Sequence, residues 1–200
     1  MRDAQPESIY LKDYQPPHFV IEETHLRFDL HEDYTQVDSR LMMRRNREQH
    51  ESYEGPLMLV GQQLELLMIK VNGEQLSSDE YQVDEDILTI HNVSNEFELE
   101  ISTRTEPQNN TALEGLYKSG GMFCTQCEAE GFRRITYYLD RPDAMSIFTT
   151  EVIADKAKYP VLLSNGNAIA QSELAEGRHS ITWHDPHRKP CYLFALVAGD

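Results

Sequence analysis

The chain has 200 residues, of which 40% are apolar and 9% aromatic, enough to bury a sizeable core and too many for a disordered segment. Its formal net charge of −16 would repel nucleic-acid phosphates and anionic lipid surfaces, so a general electrostatic role with either is excluded. A single folded domain over residues 1–200 is expected, without nucleic-acid or membrane partners.

The amino-terminal stretch Met-Arg-Asp-Ala-Gln-Pro-Glu lacks the apolar core of a signal peptide, and no uninterrupted apolar run in the chain is long enough to span a bilayer. These features predict a cytoplasmic location. Three cysteines are an odd number and do not form a disulfide framework, so free, buried and unreactive thiols are expected.

Apolar residues alternate with polar ones along most of the chain, a pattern typical of strands with one buried face. The first clear strand contains Leu26, Phe28 and Leu30, and the next runs through residues 64–71 to Asn72-Gly73, a hairpin-turn pair. Further strands are predicted at residues 81–83, 88–90, 97–101, 135–139, 148–154, 161–163, 179–183 and 192–197. The pattern predicts an all-β fold, a large antiparallel sandwich or saddle-like domain with few short helices.

Residues 107–123 depart from this alternation and contain three glycines, which predicts a long loop. The loop leads into a segment, residues 124–143, that combines acids, two adjacent arginines and apolar residues. In an extended chain, alternation places Gln126 and Glu128 on the same face. Considered by itself, Glu128 is most simply a solvated glutamate in an acidic chain.

From Thr125 to Pro142 the segment resembles, without a gap, the Thr-Gln-x-Glu-x-x-x-x-Arg-Arg-x-x-x-x-x-Asp-x-Pro signature of the aminopeptidase N family of zinc exopeptidases, in its bacterial form. Similar blocks follow up to Asp200. The resemblance implies that Glu128 recognises the free ammonium group of a peptide and that Gln126 lines the first side-chain pocket. A carboxylate in a pocket without water can recognise an ammonium group through charge-assisted hydrogen bonds. Glu130 is expected to stay solvated.

Arg133 and Arg134 are expected to pair with Asp140 and to fix the loop, and no catalytic role is assigned to them. The residues Asp140-Arg141-Pro142-Asp143 predict a turn. The sequence departs from the common family form at Tyr137-Tyr138, which replaces a Pro-Cys pair, and at Ala129, where many relatives have proline.

The chain contains neither the His-Glu-x-x-His zinc motif nor the Gly-Ala-Met-Glu-Asn substrate motif of the family. The resemblance therefore implies an amino-terminal domain that caps a zinc-containing catalytic domain expected beyond residue 200. No catalytic residue and no metal ligand are assigned within the chain, which is expected to be inactive alone. The implied partners are peptides with a free amino terminus and the catalytic domain. The surfaces around Glu128 and residues 192–200 are expected to meet that domain and, in isolation, to permit self-association.

Two other classes of function fit parts of the sequence. A stand-alone β-sandwich module that binds peptides or carbohydrate would share the strand pattern. A metal protein could use Cys124, Cys127 and Cys191 with His184 or His187, although about sixty residues separate the two groups, a spacing unlike that of compact zinc motifs.

Overall fold

The computed structural model of the chain describes residues 10–200, so the expectation drawn from the first seven residues lies outside the described part. Within it the structure is almost entirely β, with short 3-10 turns between strands. The strands are β1 (Phe19–Leu30), β2 (Thr35–Arg45), β3 (Leu57–Val60), β4 (Glu65–Val71), β5 (Glu74–Gln75), β6 (Tyr81–Asp84), β7 (Ile87–Ile90), β8 (Glu96–Thr105), β9 (Gly115–Ser119), β10 (Met122–Gln126), β11 (Met145–Asp155), β12 (Val161–Ser164), β13 (Asn167–Glu173), β14 (Arg178–Pro190) and β15 (Leu196–Gly199).

Among the described residues, no helix has the length and apolar character needed to cross a membrane.

Eight strands form one large sheet in the order β13-β14-β11-β1-β2-β8-β4-β5. Most neighbours are antiparallel, but β1 and β11 run parallel, which the antiparallel prediction did not include. Alternation in β1 places Leu26 and Phe28 in the core while Arg27 between them is exposed. The large sheet therefore has one buried and one solvent-facing side.

Two smaller sheets cover the buried side of the large one. They have the strand orders β12-β15-β10-β9 and β3-β7-β6. One continuous cluster of buried side chains joins all three sheets, with Phe28 from the large sheet, Phe123 from the four-stranded sheet and Leu88 from the three-stranded sheet. The all-β prediction is confirmed, because the sheets pack their apolar faces around one core.

The predicted strand at residues 135–139 is wrong. The chain instead makes a 3-10 turn at Phe132–Arg134 and an irregular segment in which Tyr138 forms one isolated bridge with Val60. Ile135, Tyr137 and Tyr138 are all buried. A run that is apolar at nearly every position predicts burial but does not specify a strand.

The predicted loop at residues 107–123 is also partly wrong. Residues Pro107–Asn109 form a 3-10 turn, and the rest contains β9 and the start of β10. Gly120 and Gly121 have φ values of 57° and 85° and form the tight turn between these strands. Near the end of the chain, a 3-10 turn occupies Cys191–Leu193, so the predicted strand at 192–197 begins later, at Leu196.

A buried hydroxyl network connects the irregular segment to the large sheet. Tyr138 is fully buried, and its hydroxyl lies 2.8 Å from Oγ1 of Thr24, which lies 2.8 Å from Oγ of Ser146. Burial raises the pKa of the Tyr138 phenol, so the group stays neutral.

Replacing Tyr138 by Phe is expected to lower the free energy of unfolding by about 1–2 kcal/mol, because the buried Thr24 hydroxyl then loses one of its partners. Urea denaturation of the two proteins measures the difference. Tyr137→Phe is the matched control, since the Tyr137 ring is also buried but its hydroxyl has no hydrogen-bond partner within residues 10–200. Equal effects of the two substitutions would show that the network contributes nothing specific.

Candidate functional site

The two residues singled out by the sequence lie at the end of β10. Gln126 is the last residue of that strand, and Glu128 lies in the turn that follows. Both are exposed, whereas Cys127 between them is buried. The side-chain amide of Gln126 donates a hydrogen bond to the backbone carbonyl of Glu128 at 3.2 Å. The structure thus brings the two residues together, but strand alternation accounts for the position of Gln126 only.

The turn that carries Glu128 is tightly packed. The Gly131 amide donates to the Cys127 carbonyl at 2.8 Å, which closes the turn. A Cβ atom at position 131 would lie 2.4 Å from the Gln126 carbonyl oxygen and 2.9 Å from the Gly115 nitrogen. Because both obstacles are backbone atoms that cannot rotate away, only glycine fits, and the turn is held against the β9–β10 hairpin.

The predicted ion pairs are only half correct. Nε of Arg133 lies 2.8 Å from the Asp140 carboxylate, as predicted. Arg134 points elsewhere, to the Glu114 carboxylate at 3.2 Å and the Gln63 side-chain oxygen. Successive side chains of a 3-10 turn leave the backbone about 120° apart, so Arg134 is directed away from the buried carboxylate that Arg133 reaches. The sequence held no local signal for the Arg134 contacts, which come from distant segments.

One face of the four-stranded sheet points away from the core, and we call it the outer face. Alternation and strand register assign to it the residues Val161 and Leu163 of β12, Val197 of β15, Met122, Cys124 and Gln126 of β10, and Tyr117 of β9.

The outer face is largely apolar although it is accessible to solvent. Val161 is 46% exposed, Leu163 45%, and Val197 and Met122 37% each. Leu163 lies opposite Val197, which lies opposite Cys124, so the apolar groups are contiguous across three strands. Residues 192–200, which include Val197, were expected from the sequence to form an interface, but the parts of the face on β12 and β10 were not, because these strands have apolar residues on both sides and therefore do not alternate. Gln126 lies at the end of the same face.

The three cysteines are free thiols. Burial, with the nearby Asp140 carboxylate as the second cause, raises the pKa of Cys127 to about 12. Burial also raises the pKa of Cys191. Cys124 is partly exposed, so the expectation that all three thiols are buried is wrong for this residue, although its partial burial raises its pKa as well. Among residues 10–200, no three or more His, Cys, Asp or Glu side chains are arranged to hold a metal ion. His184, a candidate ligand, instead has its Nδ1 3.0 Å from the Thr149 hydroxyl.

These environments predict that the native protein reacts slowly with thiol reagents. At pH 8 a thiol with a pKa of about 12 is ionised in roughly one molecule in ten thousand, and the thiolate is the reactive form. We expect Cys124 to be the first cysteine modified by a disulfide reagent, and Cys127 and Cys191 to react only after denaturation. A Cys124→Ser variant should remove the native reaction, and a persistent fast phase in that variant would contradict the assignment.

The family model and similar sequences point to the same protein family. Residues 30–193 match the peptidase M1 N-terminal domain family. The chain is 50% identical over 196 residues to aminopeptidase N of Escherichia coli (strain K12), an alignment covering 98% of this chain and 22% of that protein. It is 49% identical over 200 residues to aminopeptidase N of Caulobacter vibrioides, covering all of this chain and 23% of that protein. The chain thus spans less than a quarter of the length of these relatives.

Solved structures agree with the sequence relatives. The crystal structure of Legionella pneumophila aminopeptidase A in complex with aspartic acid superposes with a TM-score of 0.90 at 37% identity, covering 95% of this chain and 22% of that one. An M1 zinc metallopeptidase from Deinococcus radiodurans superposes with a TM-score of 0.75 at 16% identity, covering 92% of this chain and 43% of that one. The second likeness concerns the fold alone.

Proposed function

Because the chain belongs to the peptidase M1 N-terminal domain family, we propose that it is the amino-terminal domain of a zinc aminopeptidase that releases amino-terminal residues from peptides. In this proposal residues 1–200 form one domain, a catalytic domain lies on further polypeptide, and the chain contributes recognition of the substrate's amino group. The observation that carries it is the position of Gln126 and Glu128, side by side at one end of an exposed apolar face.

Glu128 is the group that binds the substrate's ammonium. An exposed carboxylate attracts an ammonium group only weakly, since water screens both charges. The exposure of Glu128 in this chain therefore supports a half-site that other polypeptide completes. Once water is excluded, an ammonium paired with Glu128 is favoured over an uncharged amide, which would leave the acid unpaired.

The outer face supports the capping role. Its exposed apolar groups Val161, Leu163 and Val197 are contiguous, which is unfavourable in water and typical of an interface. Gln126 lies on the same face, so a domain docked there would also border the amine site. The occupant we propose is the catalytic domain, because relatives such as the Escherichia coli protein are more than four times as long as the chain. Without it, the same face would favour self-association.

The chain's own residues do not fit a zinc site. The described part contains no suitable cluster, and the sequence has no His-Glu-x-x-His motif. We propose that zinc is held by the catalytic domain, where it would polarise the scissile carbonyl and activate water. The residues of this chain hold and orient the amino end of the substrate. A cytoplasmic location stays a prediction from the sequence.

The proposal is tested with the full-length protein that contains this chain and, in parallel, with the chain alone. The full-length protein should contain zinc and cleave aminoacyl anilides, and it should cleave their N-acetylated forms at least 100-fold more slowly. The chain alone should cleave neither. Activity of the chain alone, or equal cleavage of acetylated and free substrates, would contradict the proposal. Peptide binding by the chain alone with no activity of the full-length protein would favour a stand-alone binding module.

A further inference from the structure

The carboxylate of Asp140 is almost completely buried beside the turn that carries Glu128. The side chain is 2% exposed, and the preceding residues Ile135, Tyr137 and Tyr138 are buried as well. Its Oδ2 accepts hydrogen bonds from the Arg133 amide at 3.2 Å and from Arg133 Nε at 2.8 Å. Its Oδ1 accepts from the Cys191 thiol at 3.2 Å. A buried carboxylate is tolerated only with such partners, so its position is well defined.

Arg133 connects the Asp140 carboxylate to the turn that carries Glu128. Its backbone carbonyl accepts from the Gln62 amide at 2.8 Å, and its guanidinium also lies 3.2 Å from Glu130. The pair with Glu130 is solvent-exposed and contributes little, whereas the pair with Asp140 is shielded from water. The end of the turn at Arg133 is therefore held by two backbone hydrogen bonds and one buried ion pair, five residues after Glu128.

Cys191 connects the same carboxylate to the strand beside β10. It begins the 3-10 turn that leads into β15, and β15 pairs with β10 at Phe123 and Cys124. Asp140 thus contacts two segments, through Arg133 and Cys191. The first segment follows Glu128. The second leads into β15, which pairs with β10, the strand that ends at Gln126.

We propose that Asp140 is a positioning residue for substrate binding: through Arg133 and Cys191 it fixes where the turn presents the Glu128 carboxylate relative to Gln126. This inference rests on the proposed function. Asp140 does not touch the substrate. Its effect arises because a displacement of about 1 Å in a binding group can cost up to 100-fold in rate.

The test is a double-mutant cycle in the full-length protein with an aminoacyl anilide. Asp140→Asn is expected to lower kcat/KM about tenfold, mainly by raising KM, because the neutral amide holds Arg133 less firmly. In a Glu128→Gln background, the same change should lower kcat/KM less than twofold, since the group that Asp140 positions is already impaired. A merely structural role would give the same tenfold loss in both backgrounds, and that result would overturn the proposal.

Two further variants keep the test decisive. Asp143→Asn is the matched control, because Asp143 pairs with Arg141 at 2.7 Å and with Tyr14 at 2.9 Å and contacts neither the turn nor Cys191. It should leave KM within about twofold.

If Asp140→Asn does not fold, Arg133→Lys replaces it in the cycle, since lysine keeps the charge but loses the fork geometry. If Glu128→Gln itself leaves kcat/KM unchanged, the amine-recognition proposal fails. That outcome differs from an equal loss on Asp140→Asn in both backgrounds, which overturns only the positioning role of Asp140.

Discussion

Replacing Glu128 by glutamine in the full-length protein is expected to lower kcat/KM for a free-amine substrate about 100-fold, with a strong rise in KM and a lower kcat. The substitution keeps the size of the side chain and removes its charge. Loss of one partner from a desolvated, hydrogen-bonded charge pair costs about 2–5 kcal/mol, and a 100-fold loss corresponds to about 2.7 kcal/mol. Initial rates over a range of aminoacyl anilide concentrations measure both constants.

Glu130→Gln is the matched control for this substitution. Glu130 is a glutamate of the same turn, its side chain is 69% exposed, and its only assigned role is an exposed ion pair with Arg133. Its replacement should change kcat/KM by less than about threefold, because exposed ion pairs contribute at most about 1 kcal/mol. The preference for free over acetylated substrates should collapse in Glu128→Gln and persist in Glu130→Gln. Retention of the full preference in Glu128→Gln would refute the role of this acid.

A charge placed on the outer face is expected to have the second largest effect. Leu163→Asp should leave the isolated chain almost as stable as before, because the side chain is 45% exposed there. In the full-length protein the same aspartate would be buried against the catalytic domain, at a cost of several kcal/mol. We expect kcat/KM to fall more than tenfold and the thermal unfolding midpoint of the full-length protein to drop by several degrees.

Ile169→Asp provides the comparison for this experiment. Ile169 is 61% exposed on β13, an edge strand of the large sheet, and does not belong to the outer face. The two substitutions are chemically similar, so any difference between their effects on activity and stability is due to where on the surface the charge is placed. Limited proteolysis between the domains, together with activity, measures the docking. If both variants behave alike in the full-length protein, the outer face is not the interface.

The fold class followed from residues close together in the sequence. Alternation such as that of Leu26, Phe28 and Leu30 reports which side of a strand meets the core, and each of these residues is buried. Alternation did not predict the structure of residues 135–139, where nearly every side chain is buried and the backbone is irregular. It also failed at residues 107–123, where paired glycines close a hairpin and the strands on either side were read as a loop.

The candidate site was predictable to a similar extent. The signature identified Gln126 and Glu128, and the structure places them together at the end of β10. It predicted a partner for Asp140 in Arg133, which is confirmed, but gave no indication that Cys191 contacts the same carboxylate from fifty-one residues away. Arg134 was assigned to the wrong partner for the same reason, since Glu114 and Gln63 come from other segments.

The sequence by itself determined that the protein is built from strands and singled out one short segment as the candidate recognition site, because both depend on residue types at fixed local spacing. Only the tertiary structure decided that this segment ends in a turn packed against Gly115, that a buried carboxylate holds it, and that it borders an exposed apolar face. These features depend on which distant strands become neighbours. Strand pairing and burial are properties of the whole chain, and local periodicity does not encode them.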